Sequence, residues 1–395
     1  MARPGTQYAA LGHGRLTDLS QPVAINLGFD PVLTFSVIIP VLNGARFLPQ
    51  CLECLKRSNT PPHESIVVDD GSSDGSVAIA ESAGIAILRT TGRRGPGTGR
   101  NLGAAHASGD VLVFVDADVC VRPDTLDLIR ARFEADPSID ALFGSYDDEP
   151  GESGLISQYR NLLHHYVHQN GRLEAATFWS GCGAVRRSVF QALGGFEECY
   201  PHASTEDVEL GYRLRAAGHR IVLDPRIQVK HLKSWGVFEM IRGDILFRAI
   251  PWTRLILRSN WLPNDLNLAV SQRLTAILVL ASVALAVASP FVKLSPAWAL
   301  LPLAAAVLLN RQFYSFLASK RGWLFVAIVL PLHLFYYLYS ALTFAACVVL
   351  HALVWRRQDA RSASRLLQQD ETVEWTQVSG STVPSVLDRR ADHDE

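Results

Sequence analysis

The sequence predicts an α/β fold: a mixed, mostly parallel β-sheet flanked by helices, followed by C-terminal transmembrane helices. Three observations predict it. Short, almost purely apolar runs such as Val111–Val115 alternate with helix-like stretches, the order that gives parallel strands buried on both faces. Two of these runs end on carboxylates, Asp69–Asp70 and Asp116–Asp118, at the edge where open α/β sheets bind ligands. Beyond residue 265 the chain becomes rich in Leu, Ala, Val and Phe, in runs long enough to cross a bilayer.

The first strand is expected over Thr34–Val41. A helix follows over Gly44–Arg57, where Phe47, Leu48, Cys51, Leu52 and Leu55 repeat at helical spacing. Ser65–Asp70 is the second strand, and Ser73 or Asp74 is placed to cap a helix over Ser76–Ala83. A short strand over Ile85–Arg89 leads into a Gly-rich basic loop, Thr91–Gly99, and a helix over Arg100–Ala107. The fourth strand is Val111–Val115. Leu126–Ala135 reads as a helix, Ile139–Tyr146 as a strand, and Leu155–Gln169 as a helix rich in Tyr and His. Phe178–Val185 returns to the sheet, and Arg187–Leu193 is a short helix closed by Gly194–Gly195. Glu206–Gly218 is an amphipathic helix with Thr205 as its cap; Arg220–Leu223 and Ile227–Lys230 are closing strands.

Trp235–Pro263 alternates apolar residues with Arg242, Arg248, Arg254 and Arg258. An ordinary packed helix has the same pattern, but the adjacent apolar runs favour a membrane surface. Leu274–Val292 is long enough to span. Leu294–Leu309 is shorter and carries Pro296 and Pro302. Trp323–Trp355, about 50 Å long as a helix, is either one tilted span or a broken hairpin. Three simple passes place Arg356, Arg357, Arg361 and Arg365 outside, against the positive-inside trend, so two to four helices are expected.

With a formal charge of −1, nothing suggests a nucleic-acid partner, and none is expected. Met1–Asp30 has no apolar run of signal-peptide length, so the α/β domain is expected in the cytoplasm and the protein as a multi-pass cell-membrane protein. The pair Cys51/Cys54 forms a CxxC without a second pair or a His pair, and is expected as helix packing.

Asp116 and Asp118, spaced i, i+2 at a strand end, point to one side and suit one Mg²⁺ or Mn²⁺ bound to phosphate oxygens. The Gly-rich loop with Arg93, Arg94 and Arg100 suits a diphosphate, though it lacks the Gly-Lys-Ser/Thr of a P-loop. Asp70 is placed to accept hydrogen bonds from a base or ribose. The pair Glu206–Asp207 is either a helix-start charge preference or the source of a catalytic base. His231 is either a third metal ligand or phosphate contact, or a core histidine.

Taken together, Ser36–Pro40 (SVIIP), Val67–Asp74 (VVDDGSSD), Arg100–Asn101, Phe114–Asp118 (FVDAD), Gly194–Phe196 (GGF) and Thr205–Asp207 (TED) resemble family 2 glycosyltransferases of the GT-A fold, over about residues 34 to 232. The resemblance implies a nucleotide-sugar donor, UDP- or GDP-linked. Asp70 would contact the nucleobase, with Pro40, Arg100 and the adjoining Asn101 at its pocket. Asp116 would sit near the ribose, and Asp118 would bind the metal, with His231 as its candidate co-ligand. Asp207, beside Glu206, would deprotonate the acceptor. Trp179 and the 145–175 segment would shape the sugar pocket. Gly181–Gly183 departs from the family's polar Asn. The Gln-x-x-Arg-Trp signature of processive synthases is absent, since Arg248 and Trp252 have the wrong spacing, which favours a single transfer.

Five segments follow: a flexible 1–33, a GT-A domain at 34–232, an amphipathic interfacial 233–265, transmembrane helices at 266–355 and a polar disordered 356–395. The expected activity is metal-assisted, inverting transfer to a lipid or lipid-linked glycan at the cytoplasmic face. The alternatives are transfer to a polyprenyl phosphate, a nucleotidyltransferase, and a scaffold with a decayed transferase domain.

Overall fold

The structure, a computed structural model, describes residues 33–355. The segment before Leu33 and the tail from residue 356, with the four arginines that bear on topology, lie outside the described residues.

Eight strands form one sheet in the order β3-β2-β1-β4-β7-β6-β8-β5. They are β1 (Phe35–Val41), β2 (Glu64–Asp69), β3 (Ala86–Arg89), β4 (Val111–Val115), β5 (Val119–Val121), β6 (Ala141–Tyr146), β7 (Cys182–Arg186) and β8 (Ile221–His231). Strands β3, β2, β1 and β4 run parallel, as do β6 and β8; β7 and β5 pair antiparallel. The sheet is therefore mixed: β7, between β4 and β6, and the edge strand β5, beside β8, run against the other six.

Alternation along β1 sets the two faces. Val37, Ile39 and Val41 enter one core with α1 (Leu48–Lys56), α2 (Ser76–Ser82) and α4 (Thr125–Ala135). Ile38 enters the other, beneath α3 (Pro96–His106). Gly103 permits that approach, because a Cβ there would meet Ile38 Cγ2 at 2.5 Å. Helices α5 (Leu155–Gln169), α6 (Arg187–Ala192) and α7 (Glu206–Ala216) complete the layers. Cys51 packs in the core of α1, as expected of a cysteine without a metal partner.

Four local expectations differ. Helix α3 starts at Pro96, since Pro is favoured at a first helical position, so half of the expected loop is helix. Phe178–Gly181 is loop, and β7 begins only at Cys182, beyond a Trp179 side chain folded over Gly181. The two closing strands are one, β8, which absorbs Pro225 at a register shift against Phe143/Ser145. Thr205 makes no capping hydrogen bond to α7.

After β8 come α8 (Val237–Arg242), a π-helical stretch Gly243–Ala249, and α9 (Ile250–Ser259). One face buries Met240, Asp244 and Trp252, while Phe238 and Leu246 stay exposed. The apolar region holds α10 (Val270–Ala288), α11 (Leu300–Leu309) and α12 (Arg311–Leu350). Polar pairs bind these helices together: Ser282 Oγ donates to Ala299 O at 2.8 Å, and Asn310 Nδ2 to Thr275 Oγ1 at 3.1 Å. Gly322 (φ 80°) breaks α12 into two helices; Pro331, inside the second, does not end it. Trp323–Trp355 is thus a continuous helix and not a hairpin. Among the described residues two helical stretches, Val270–Ala288 and Arg311–Trp355, are long and apolar enough to cross a membrane.

Candidate active site

A cavity of about 450 Å³ opens beyond the carboxyl ends of the central strands. Asp116 and Asp118 border it from β4, and Glu206 and Asp207 from the start of α7. Arg100, Trp179 and His231 complete the sequence-expected residues in its lining.

Pro40, Asp70 and Asn101 do not line it. Pro40 is buried in β1, in register with Val68. Asp70 is 3% exposed, and its carboxylate folds the Gly-rich loop instead. Thr90 Oγ1 and Arg94 N donate to Oδ1, and Gly95 N to Oδ2, each at 2.8 Å. Gly95 adopts φ 97°, and a Cβ there would meet Tyr200 O at 2.2 Å, so only glycine permits this turn. Arg93 and Arg94 point away as exposed residues.

Asn101 is a staple rather than a substrate contact. Its Nδ2 donates to Phe196 O (2.8 Å) and Glu198 Oε1 (2.9 Å), and its Oδ1 accepts from Phe196 N (2.8 Å). Phe196 is thereby held against Phe114 and Phe190, with ring centroids 5.1 and 5.4 Å away. Asn101→Ala is expected to lower stability by ~1–3 kcal/mol, because it leaves buried backbone groups unpaired. Denaturant unfolding reads this loss, and unchanged nucleotide binding would separate the staple from a substrate contact.

Arg100, 2% exposed, joins the two acidic clusters. Its Nη2 is 2.7 Å from Asp116 Oδ1 and its Nη1 2.9 Å from Glu206 Oε1. Burial opposes its charge, but the two carboxylates outweigh this and hold its pKa above the ordinary value. Burial also raises Asp116, Arg100 offsets part of that, and the neighbouring Asp118 charge adds to it. The guanidinium thus occupies the Asp116 oxygen that sequence reasoning offered to a shared metal. Glu206 Oε2 accepts from Ser204 N at 2.8 Å, so this carboxylate is spent on structure.

Asp207 is held differently. Ser180 N donates to its Oδ2 at 3.1 Å, and Val208 N to its Oδ1 at 2.8 Å. Burial, then the Glu206 charge, raise its pKa to about 6. A carboxylate poised there is ionised at neutral pH yet basic enough to take a proton.

Asp118 Oδ2 lies 3.6 Å from His231 Nε2. Burial opposes ionisation, yet His231 and then Lys233 keep Asp118 below the usual carboxylate range. Strands β5 and β8 bring the pair together, with Val119 opposite His231, and the Tyr146 ring stacks on His231 at 4.2 Å. Among the described residues no cluster of three His, Cys, Asp or Glu forms a metal cage. One carboxylate and one imidazole facing a cavity do fit a divalent cation that takes its other ligands from phosphates and water.

Of the remaining walls, sequence reasoning named only the 145–175 segment. Tyr146, His164 and His168 come from β6 and α5; Trp235, Asp244, Phe247 and Arg248 come from the stretch expected on the membrane surface; Tyr336 comes from α12. Arg160 Nη1 pairs with Asp244 Oδ1 at 2.8 Å, and Tyr339 Oη donates to Asp244 Oδ2 at 2.7 Å. The Tyr- and His-rich composition of α5 was the available signal for its part.

Residues 36–194 match the family described as Glycosyl transferase family 2. Curated relatives include a pre-mycofactocin glycosyltransferase of Mycobacterium tuberculosis, 28% identical over 216 residues (51% of this chain, 44% of that protein). An uncharacterized glycosyltransferase of Haemophilus influenzae is 30% identical over 173 residues (40% and 55%). The O-antigen chain rhamnosyltransferase RfbN of Salmonella typhimurium is 27% identical over 214 residues (51% and 68%). The chain spans about half the length of the first two. Among solved structures, the mannosyltransferase PcManGT from Pyrobaculum calidifontis, in complex with GDP-Man and Mn²⁺, aligns with a TM-score of 0.51 at 19% identity, covering 81% of this chain and 87% of that one. That likeness establishes the GT-A-like fold.

Proposed function

We propose that the protein transfers a single sugar from a nucleotide-diphosphate donor to a lipid or lipid-linked glycan, with inversion, at the cytoplasmic face of a membrane. One observation carries this reading. A carboxylate poised near pH 6, Asp207, shares a cavity with the Asp118–His231 pair and with Tyr336 of an apolar helix. Asp207 accepts the proton of the acceptor hydroxyl as its oxygen bonds to the anomeric carbon, and the nucleoside diphosphate leaves with the electron pair of the broken bond. Asp118 and His231 would hold Mn²⁺ or Mg²⁺, which supplies positive charge to the diphosphate. Asp116 and Arg100 keep the β4 end rigid beside them. The Mn²⁺ and GDP-Man of the mannosyltransferase support the donor class and the metal.

The two long apolar helices support a membrane anchor, and the cavity wall supplied by α12 supports an acceptor that arrives from the lipid side. A polyprenyl phosphate is the second reading, favoured by Arg242 and Arg248 in the lining. The test is thermal stabilisation of the detergent-purified protein by UDP, GDP and related nucleotides, with and without Mn²⁺. One nucleotide is expected to raise the transition in a Mn²⁺-dependent way, by ~2.7 kcal/mol at a hundred times its Kd, and Asp118→Ala is expected to abolish this. No shift with any nucleotide in a folded sample leaves the scaffold reading in its place.

A further inference from the structure

Beside the Asp118–His231 pair the cavity wall is built of rings. Tyr146 stacks on His231, and His164 lies against Tyr146 at 4.2 Å, His168 at 3.9 Å and Trp179 at 4.7 Å. The other histidines of α5 have structural partners. His165 Nδ1 bonds Tyr146 O at 2.8 Å, and His168 Nδ1 bonds Gly144 O at 3.0 Å, which pins the helix to β6. His164 is different. Neither of its ring nitrogens has a hydrogen-bond partner among the described residues, although both are shut away from bulk solvent. Its side chain nevertheless borders the cavity.

Buried polar atoms without partners are rare, because each forfeits its bonds to water. A histidine serving only as filler is replaceable by Phe with no such loss. Metal binding does not account for His164. Its nearest imidazole, His168, lies over it at a tilt of 32°, whereas ring nitrogens bind metals along the ring plane. The base role is assigned above to Asp207, whose Oδ2 accepts from the backbone of Ser180, the residue after Trp179. Burial, then the neighbouring His168 and Arg248, keep the imidazole neutral. One nitrogen then donates and the other accepts, on a ring that three neighbours hold in place.

We propose that His164 is a specificity-determining contact for a sugar, its edge taking a sugar hydroxyl as donor and acceptor while Trp179 offers an apolar ring face beside it. The assignment rests on the transferase reading and names what that cavity recognises. The hydroxyl belongs either to the sugar being transferred or to a glycan acceptor.

The test uses full-length His164→Phe, which keeps the ring packing and deletes both nitrogens, and His164→Gln, which restores one donor and one acceptor. Calorimetry with Mn²⁺ compares UDP and GDP with UDP-glucose, UDP-GlcNAc and GDP-mannose. If the hydroxyl is the donor's, His164→Phe keeps nucleotide affinity within about 2-fold and loses about 10-fold of the affinity that the sugar adds, and Gln recovers part. If it is the acceptor's, donor affinity is unchanged, and transfer of radiolabelled sugar into a membrane lipid extract falls about 10-fold through KM. Deoxygenated donors on the wild-type chain give the same answer should His164→Phe not fold: removal of one hydroxyl alone then reproduces the loss, or else the acceptor arm is read with His164→Leu. Unchanged sugar discrimination together with unchanged transfer in a folded variant overturns the assignment. Absence of nucleotide binding by the wild-type chain overturns the reading beneath it instead.

Discussion

Asp207→Asn is expected to lower kcat by about 10²–10⁴-fold while leaving the fold and nucleotide binding intact. Asn occupies the same volume and can still accept from Ser180 N, but it cannot take the acceptor's proton. In the wild-type enzyme the base form is present above pH of about 6 and is lost as pH falls through it. The pH profile of kcat/KM should therefore show an acid limb near that value, absent in Asp207→Asn. The stability effect has the opposite sign. A carboxyl raised from 3.8 to about 6 stabilises the fold only when protonated, fully below the unfolded value, and that contribution is lost as pH rises through about 6. Removing the charge at pH 7 should raise stability by on the order of 1 kcal/mol. Activity retained within a few-fold would sink Asp207 as base and favour an acceptor that is already anionic, such as a lipid phosphate.

Arg100→Met is expected to cost ~3–5 kcal/mol of stability, because it leaves the buried Glu206 carboxylate, and the half-buried Asp116, without the cation they share. The deficit should be largest at neutral pH and shrink as the medium is acidified, since the stranded carboxylates then take up protons. Denaturant unfolding across pH 5–8 reads both effects. Arg100→Lys should recover only part, since one ammonium lacks the fork that reaches two carboxylates at 2.7 and 2.9 Å. An unchanged midpoint in Arg100→Met would show that the two acidic clusters do not depend on this bridge.

Strands β1, β2 and β4 were legible because buried strands leave an apolar run and then a polar break, and carboxylates fell at the breaks of β2 and β4. The same rule could not find β5, three residues directly after Asp118, whose only mark is a partner 110 residues later. Asp118 and Asp207 were legible as carboxylates at element ends. The work of Asp70 and Asn101 was not, because a polar side chain beside glycines serves a ligand or its own backbone with one composition, and only the hydrogen bonds decide. What was hidden was the assembly of the ring wall: Trp179, His231 and the 145–175 segment could be named singly, but Tyr146, His164, Trp179 and His231 are spread over three elements and a loop, and no local period links them. The amphipathic stretch from Trp235 was read by its exposed face, whereas its buried face lines the cavity.

The tyrosines of α12 have a consequence for how this protein can change over time. On a helix anchored as proposed above, most side chains would be interchangeable, since one greasy residue meets lipid much as another does. Tyr336 borders the cavity and Tyr339 hydrogen-bonds Asp244, which in turn holds Arg160. Under the anchor and the sugar site proposed above, selection on the cavity would therefore reach into α12. Drift along that helix should then be free on its outward side and arrested at these two positions, so that a segment serving as the proposed tether would carry the constraints of an enzyme.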